Sequence, residues 1–286
     1  MLGLVGLAVA VGVYPIIRRL LQRLETLQRS VQRFGEGDLS VRVSEQGQDE
    51  VADLARQFNA AAARIEALVK THKSLLANAS HELRSPLTRI RMGLELMGGN
   101  QPSPAFREEI LRNIAELDQL VDEILLASRL DAREADVGTV ELVDLIGLAA
   151  EECARVDAEL DVTAVPEGLE VRGVAKLLRR ALRNLLENAR RYSQGDITVV
   201  LQRHDGQAQL SVLDRGPGVP PALRERIFEP FYRLPGASER AGGVGLGLAL
   251  VRSIAQRHNG SVRCEDQPDG SGGACFVLRL PLALTK

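Results

Sequence analysis

Apolar residues recur at alternating intervals of three and four in four separate stretches of the chain. The first runs Leu20, Leu24, Leu27, Val31, Phe34, and the second Val51, Leu54, Phe58, Ala61, Ile65, Leu68. The third runs Leu83, Leu87, Ile90, Leu94, Met97, and the fourth Ile110, Ile114, Leu117, Val121, Ile124. Each traces the a/d seam of a coiled coil or helix bundle. One such stripe fits any amphipathic helix; four in one chain, with polar residues between them, predict a bundled helical array. Between the first two, 35–48 carries glycines and then alternating Leu39, Val41, Val43, an extended connector. Asp49-Glu50 opens the next helix with negative charge at its positive dipole end. Gly98–Pro104 reads as a tight turn, with Ser103 as N-cap and Pro104 at the first helical position. The third and fourth helices therefore form an antiparallel hairpin. Two helices leave part of both seams uncovered, so a homodimer closing a four-helix bundle is expected.

The period changes after Asp131. Ile197–Asp214 reads as two strands around an Asp205-Gly206 hairpin turn. Val262–Asp266 and Ala274–Leu280 read as a second pair around a glycine-rich turn. Helical stretches at Val174–Arg191 and Leu246–His258 lie among them, and Asn259-Gly260 stops the last. Glu141–Lys286 is thus expected to be a mixed sheet packed against helices, an α+β sandwich.

The first residues differ from all of this. Met1–Ile17 carries no charge, and Arg18, Arg19 and Arg23 follow at once. This run has the shortest length that spans a bilayer, about 25 Å as a helix, with its arginines at the end that faces the cytoplasm. A buried helix is the alternative. A secretory signal fits poorly, because the run has neither a positive leader nor a clear cleavage site.

Composition narrows the classes. Aromatics make up 3% of 286 residues with no Trp, so the core must be mostly aliphatic. A net charge of −2 argues against broad nucleic-acid binding. Cys153, Cys264 and Cys275 have no metal-site spacing and read as small buried hydrophobes in a reduced compartment.

Four places carry candidate chemistry. His81 lies beside the third seam on an exposed flank, where a neutral imidazole is a usable nucleophile and adjacent Glu82 can accept its proton. A solvated surface pair fits the same two residues. Pro86 is expected to bend the helix near residue 82. In LLRRALRNLLENARRYS, Asn184, Asn188 and Arg191 share one face, away from Leu178, Leu182, Leu185 and Ala189. Two amides and a guanidinium suit a Mg²⁺–polyphosphate complex; a plain polar face is the alternative. Asp214, ending a strand before Arg215-Gly216-Pro217-Gly218, can accept a hydrogen bond from an exocyclic amine such as that of adenine, or can simply begin a turn. Gly242-Gly243-Val244-Gly245-Leu246-Gly247 runs into a helix and offers backbone N–H groups to phosphates. It is neither a P-loop nor a dinucleotide fingerprint. Arg233–Ala241 reads as a mobile lid.

In order and spacing these motifs resemble the cytoplasmic part of the two-component sensor histidine kinases. HELRSPLTRI (His81–Ile90) is similar to the family's phosphoacceptor box. NLLENARRYS, DRGPGV, IFEPFYR and GGVGLGLALV are similar to its N, G1, F and G2 boxes. Pro15, Gly37-Asp38-Leu39, Asp49-Glu50 and Phe58-Asn59 resemble a HAMP relay. The resemblance implies a membrane helix at 1–17, a HAMP relay at 15–69, a dimerisation and phosphotransfer module at 70–131, and a Bergerat ATP-binding sandwich at 140–286. It implies that His81 is phosphorylated, with Glu82 as proton acceptor. It implies that Asn188 ligates Mg²⁺ beside Asn184, Arg191 contacts phosphate and Tyr192 stacks near adenine. Asp214 would bind the adenine amine, Gly216 and Gly218 would line its pocket, and Gly243, Gly245 and Gly247 would frame the phosphates. Ser85 stands where many members carry Thr or Asn, a position implicated in dephosphorylating the partner. The implied cofactors are ATP and Mg²⁺, the partners a second copy and a response regulator, and the location the inner membrane with cytoplasmic catalytic domains. By the same resemblance the chain begins at the family's second membrane segment. The alternatives are a non-enzymatic membrane relay and a Bergerat ATPase of the gyrase or mismatch-repair kind. The latter uses a Glu base where this chain has Asn184.

Overall fold

The computed structural model describes residues 2–96, 103–131, 138–165, 168–193, 195–235, 244–267, 270 and 272–283, with side chains from residue 11 onward and omitting those of 96 and 131. Residues 98–102 of the expected turn, and 132–137 between the expected helical hairpin and sandwich, lie outside the described residues. The chain divides into two compact units, Met1–Ser74 and Leu75–Lys286.

In the first unit, helix α1 (Leu2–Gly35) and the first half of α2 (Glu50–Leu96) are joined by the expected extended connector. Asp49 caps α2 by accepting the Ala52 N–H at 2.9 Å, and Arg23 of α1 grips the same carboxylate. That hydrogen bond from Arg23 holds Asp49 below the usual carboxylate range. Asn59 fixes the connector by bonding both the N–H and the carbonyl of Val43, each at 2.9 Å. Phe34 meets Phe58 edge-on, with ring centroids 5.7 Å apart. Among the described residues no helix is long and apolar enough to cross a membrane. Most of the run expected to do so, residues 1–10, has no described side chains.

The second and third apolar stripes lie on one continuous helix, not two, because α2 runs unbroken through Pro86. Helix α3 (Pro104–Asp131) follows, with the Ser103 hydroxyl capping Phe106 N–H at 3.2 Å as anticipated. The seams themselves face solvent in the single chain. Leu54, Leu68, Leu87 and Leu94 are about half exposed, and Ile114 and Val121 only slightly less. The residues buried within the chain are instead a neighbouring stripe, with Ala52, Ala55, Ala62, Leu75 and Ala79 on α2. On α3 the buried face is Asn113, Leu120, Glu123, Ala127 and Leu130.

The C-terminal part is a two-layer sandwich. A mixed sheet runs β2-β4-β5-β7-β6, where β2 (Glu159–Asp161) and β4 (Thr198–His204) are parallel. β5 (Gln207–Leu213), β7 (Cys275–Pro281) and β6 (Ser261–Glu265) continue it in antiparallel fashion. Asp205 and Gly206, both at positive φ, make the anticipated hairpin turn between β4 and β5. Register aligns Val199, Val212, Phe276 and Cys264 in one row across four strands, all buried. Helices α4 (Leu145–Val156), α5 (Ala175–Tyr192) and α6 (Gly247–Arg257) cover that face. A second ribbon pairs β1 (Glu141–Asp144) with β3 (Glu170–Gly173). The cysteines are buried and free, as expected of small hydrophobes.

Two polar ties fix the helices. Neutral His258, at the end of α6, donates from Nδ1 to Ile254 O at 2.7 Å and accepts the Val174 N–H at Nε2, 3.0 Å away. Burial lowers its pKa accordingly. On α4, Glu152 is 1% exposed and accepts two bonds from Arg183 at 2.9 Å and one from Arg179 at 3.2 Å. Arg183 above all holds its carboxyl below the ordinary value of 4.5. The contribution of Glu152 to stability is therefore complete above about pH 4.5 and lost as pH falls through the depressed value. Glu152→Ala is expected to lower unfolding free energy by about 2–3 kcal/mol, since it strands two arginines that are themselves one-third exposed. Urea unfolding at pH 7 checks the size, and a shallower acid-side loss in Glu152→Gln checks the cause.

Candidate functional site

One cleft of about 860 Å³ lies in the second unit. Its stem wall carries His81, Glu82, Ser85 and Arg89 from α2, with Arg112 and Glu116 from α3. Its far wall carries Asn184, Asn188, Arg191 and Tyr192 from α5. Asp214, Gly218, Gly245 and Gly247 close it. Eleven of the thirteen anticipated site residues thus line a single space. Gly216 does not line it, and Gly243, together with 236–241 of the anticipated lid, lies outside the described residues.

His81 and Ser85 are exposed and one helical turn apart, and Glu82 is half-buried. Arg89, one turn further on, spans the hairpin. Its Nε donates to Asn113 Oδ1 and its Nη2 to Glu116 Oε2, both at 2.7 Å, while Nη1 reaches Ser85 Oγ at 3.3 Å.

Helix α5 divides its faces as the spacing requires. Leu178, Leu182, Leu185 and Ala189 are buried in the core. Asn184, 5% exposed, donates from Nδ2 to Gly247 O at 3.1 Å, tying α5 to the first turn of α6. Asn188 is half-buried and lines the cleft, and its side chain makes no hydrogen bond among the described residues, so its amide oxygen is available to a cation. No cluster of three or more His, Cys, Asp or Glu suited to a metal occurs among those residues. One amide oxygen fits Mg²⁺ as a partial ligand whose other positions are phosphate and water, and does not fit a metal held by protein alone.

Asp214 is 3% exposed at the end of β5. Its Oδ1 accepts the N–H of Gly216 at 2.8 Å and of Ala274 at 3.3 Å. Burial raises its pKa, opposed by those two bonds. Three glycines are demanded here by contact. A Cβ on Gly216 would stand 2.7 Å from Tyr192 O, and one on Gly218, at φ +73°, would stand 3.0 Å from Gly273 O. Gly273, which sequence reasoning missed, is the tightest: at φ +95° its Cβ would fall 1.9 Å from Asp214 O. Its only sequence signal was the glycine cluster before β7. Phe231, two residues before the anticipated lid, holds a left-handed φ of 64° and donates its N–H to Gly245 O at 2.9 Å. That conformation is costly for a bulky residue and persists because the loop around it is fixed.

Comparison with known proteins agrees with this layout. The model of the histidine kinase-, DNA gyrase B- and HSP90-like ATPases matches residues 173–284, that of the HAMP domain 16–67, and that of the His kinase A phospho-acceptor domain 71–133. The sensor protein CutS of Streptomyces coelicolor is 33% identical over 99% of this chain and 70% of its own length. The chain belongs to the two-component sensor histidine kinases. The chain is also 34% identical to the sensor protein RstB of Escherichia coli, across 99% of this chain and 65% of RstB. It spans about half to two thirds of the length of the first relatives it matches. Its fold is that of histidine kinase ThkA, solved in complex with the response regulator TrrA: TM-score 0.60, 24% identity, covering 82% of this chain and 68% of that one. HAMP, helical phospho-acceptor and ATPase-type modules therefore succeed one another along the chain, the last on an α/β fold whose family implies ATP binding. Gly273→Ala is expected to weaken ATP binding at least tenfold in calorimetry, by displacing the carbonyl and carboxylate of Asp214; an unchanged affinity would place the nucleotide elsewhere.

Proposed function

We propose that this chain is the catalytic part of a sensor kinase that moves the γ-phosphoryl of ATP to His81 and then to an aspartate of a cognate response regulator. The single observation that supports it most is the common cleft, in which an exposed imidazole faces the polar side of α5. In this reading Asp214 accepts the adenine amine, with Gly216 and Gly218 leaving room for the base and Tyr192 stacked near it. Arg191 and the backbone around Gly243, Gly245 and Gly247 hold the phosphates. Asn188, with Asn184 beside it, would hold Mg²⁺, which when bound would supply neutralising charge to the phosphates. Phosphoryl transfer of this kind depends mainly on positioning and charge neutralisation. The lone pair of the unprotonated ring nitrogen of His81 forms the N–P bond, and the bond from phosphorus to the β,γ-bridging oxygen breaks. ADP leaves with that electron pair, and Glu82 takes the proton from the other ring nitrogen.

The response regulator is supported by the family and by the regulator bound to ThkA. Ser85, a hydroxyl one turn from His81, supports dephosphorylation of that regulator as a second activity. The exposed apolar seam from Leu54 to Val121 supports a homodimer that closes a four-helix bundle. The uncharged run 1–17 ahead of Arg18, Arg19 and Arg23 supports a helix in the inner membrane with the remaining modules cytoplasmic. Module boundaries at 15–69, 70–131 and 140–286 accompany this reading. Incubation with labelled ATP is expected to give acid-labile, alkali-stable label on the wild type and none on His81→Gln. Full label on His81→Gln would reject the assignment.

A further inference from the structure

Strand β5 reaches the site at Asp214, and there its ladder with β7 changes partners. Leu213 pairs with Cys275 in register, so Asp214 and Ala274 stand opposite each other. The Asp214 N–H donates to Ala274 O at 3.0 Å, one half of the exchange that an antiparallel pair completes. The other half is diverted. The Ala274 N–H turns to Asp214 Oδ1 at 3.3 Å, the same oxygen that accepts the Gly216 N–H at 2.8 Å. The ladder has given a donor to the carboxylate, and the main-chain oxygen of Asp214 needs another, because a buried carbonyl left unpaired is costly.

Gln267 supplies it. This residue lies just past β6, is 8% exposed, and donates from Nε2 to Asp214 O. Its place is fixed on both sides. Before it, Asp266 accepts from Arg224 Nη2 at 2.5 Å, while Arg224 Nε donates to Val219 O at 3.1 Å, just beyond the glycines that follow Asp214. After it, the Gly270 N–H donates to Gln267 O at 3.1 Å. Gly273 leaves room for the amide, since a Cβ there would stand 2.9 Å from Gln267 Nε2. Gln267 does not line the cleft, so it acts on a ligand only through Asp214.

We propose that Gln267 is a positioning residue for base recognition: by satisfying the Asp214 carbonyl it frees the Ala274 N–H to aim the Asp214 carboxylate at an exocyclic amine in the cleft. This rests on the reading of Asp214 as the adenine partner and adds the residue that sets its selectivity. Without the Gln267 donor the Ala274 N–H returns to the ladder, and the carboxylate keeps one of its two bonds. Loss of aim removes the amine contact and spares the phosphate contacts, which in that reading lie on α5 and the glycine loop. A site that recognises a polar group by hydrogen bonding discriminates against ligands that lack it.

Calorimetry on the full chain with Mg²⁺ compares ADP with purine riboside diphosphate, the same nucleotide without its exocyclic amine. Wild type is expected to bind ADP at least tenfold more tightly. Gln267→Met is expected to weaken ADP at least fivefold and the amine-free nucleotide less than twofold, so that most of the preference disappears. In turnover, KM for ATP is expected to rise by a like factor with kcat within twofold, because the base contact is the same in ground and transition states. Equal losses for both nucleotides would mean a structural role, and an unchanged ADP affinity would mean none; either overturns the proposal. Where Gln267→Met does not fold, Gln267→Glu at pH 8, equal in size but without the donor, reads the same ratio. A wild type that binds both nucleotides alike overturns the adenine reading of Asp214 and the proposal with it.

Discussion

Helix α5 can bury only one of its faces, and the site depends on that constraint. Leu178, Leu182, Leu185 and Ala189 fill the sandwich core, each with almost no exposed surface. Turning them outward would lose about 2 kcal/mol or more per leucine. The opposite face, with Asn188 and Arg191, must therefore look into the cleft. Asn184 sits at the boundary and uses its amide to anchor the first turn of α6, where the glycine loop ends. One amphipathic helix thus fixes the sheet beneath it, the glycine loop beside it and the polar wall facing the stem.

The far end of the site obeys a different constraint. The Asp214 carboxylate is held by two backbone N–H groups, while its own N–H donates to Ala274 O and its carbonyl accepts from the Gln267 side-chain amide. Such a carboxylate cannot swing, and the glycines around it exist because backbone passes too close for a Cβ. The fixed surroundings of Asp214 and the left-handed turn at Phe231 frame the cleft.

Much of this was legible in the sequence, where the signal is periodic or local. The helical seams, the Ser103-Pro104 helix start, the Asp205-Gly206 hairpin and the two faces of α5 all follow from spacing or turn chemistry. Elements β1, β2 and β3 and helix α4 were not anticipated. The strands have only three or four residues, too few for an alternation to show. The second and third stripes were read as separate helices; α2 carries both by running straight through Pro86. Gly273 and Gln267 were invisible for another reason. Their roles come from contacts with Asp214 that form only after folding, at separations of 59 and 53 residues. The seam positions also needed the structure: a seam exposed in one chain and a seam buried in a pair read alike as sequence.

The central claim is spatial: nucleotide bound at Asp214 and α5 ends beside His81. The chain has four histidines, which makes the claim measurable. With Mn²⁺ replacing Mg²⁺ on a non-hydrolysable ATP analogue, the imidazole proton signals of His81 should broaden strongly. Those of His204, at the opposite end of β4 and β5 and on the order of 20 Å from the Asp214 end, should stay sharp. A His81 signal that remains sharp at saturating nucleotide, or a broadened His204, would contradict the account.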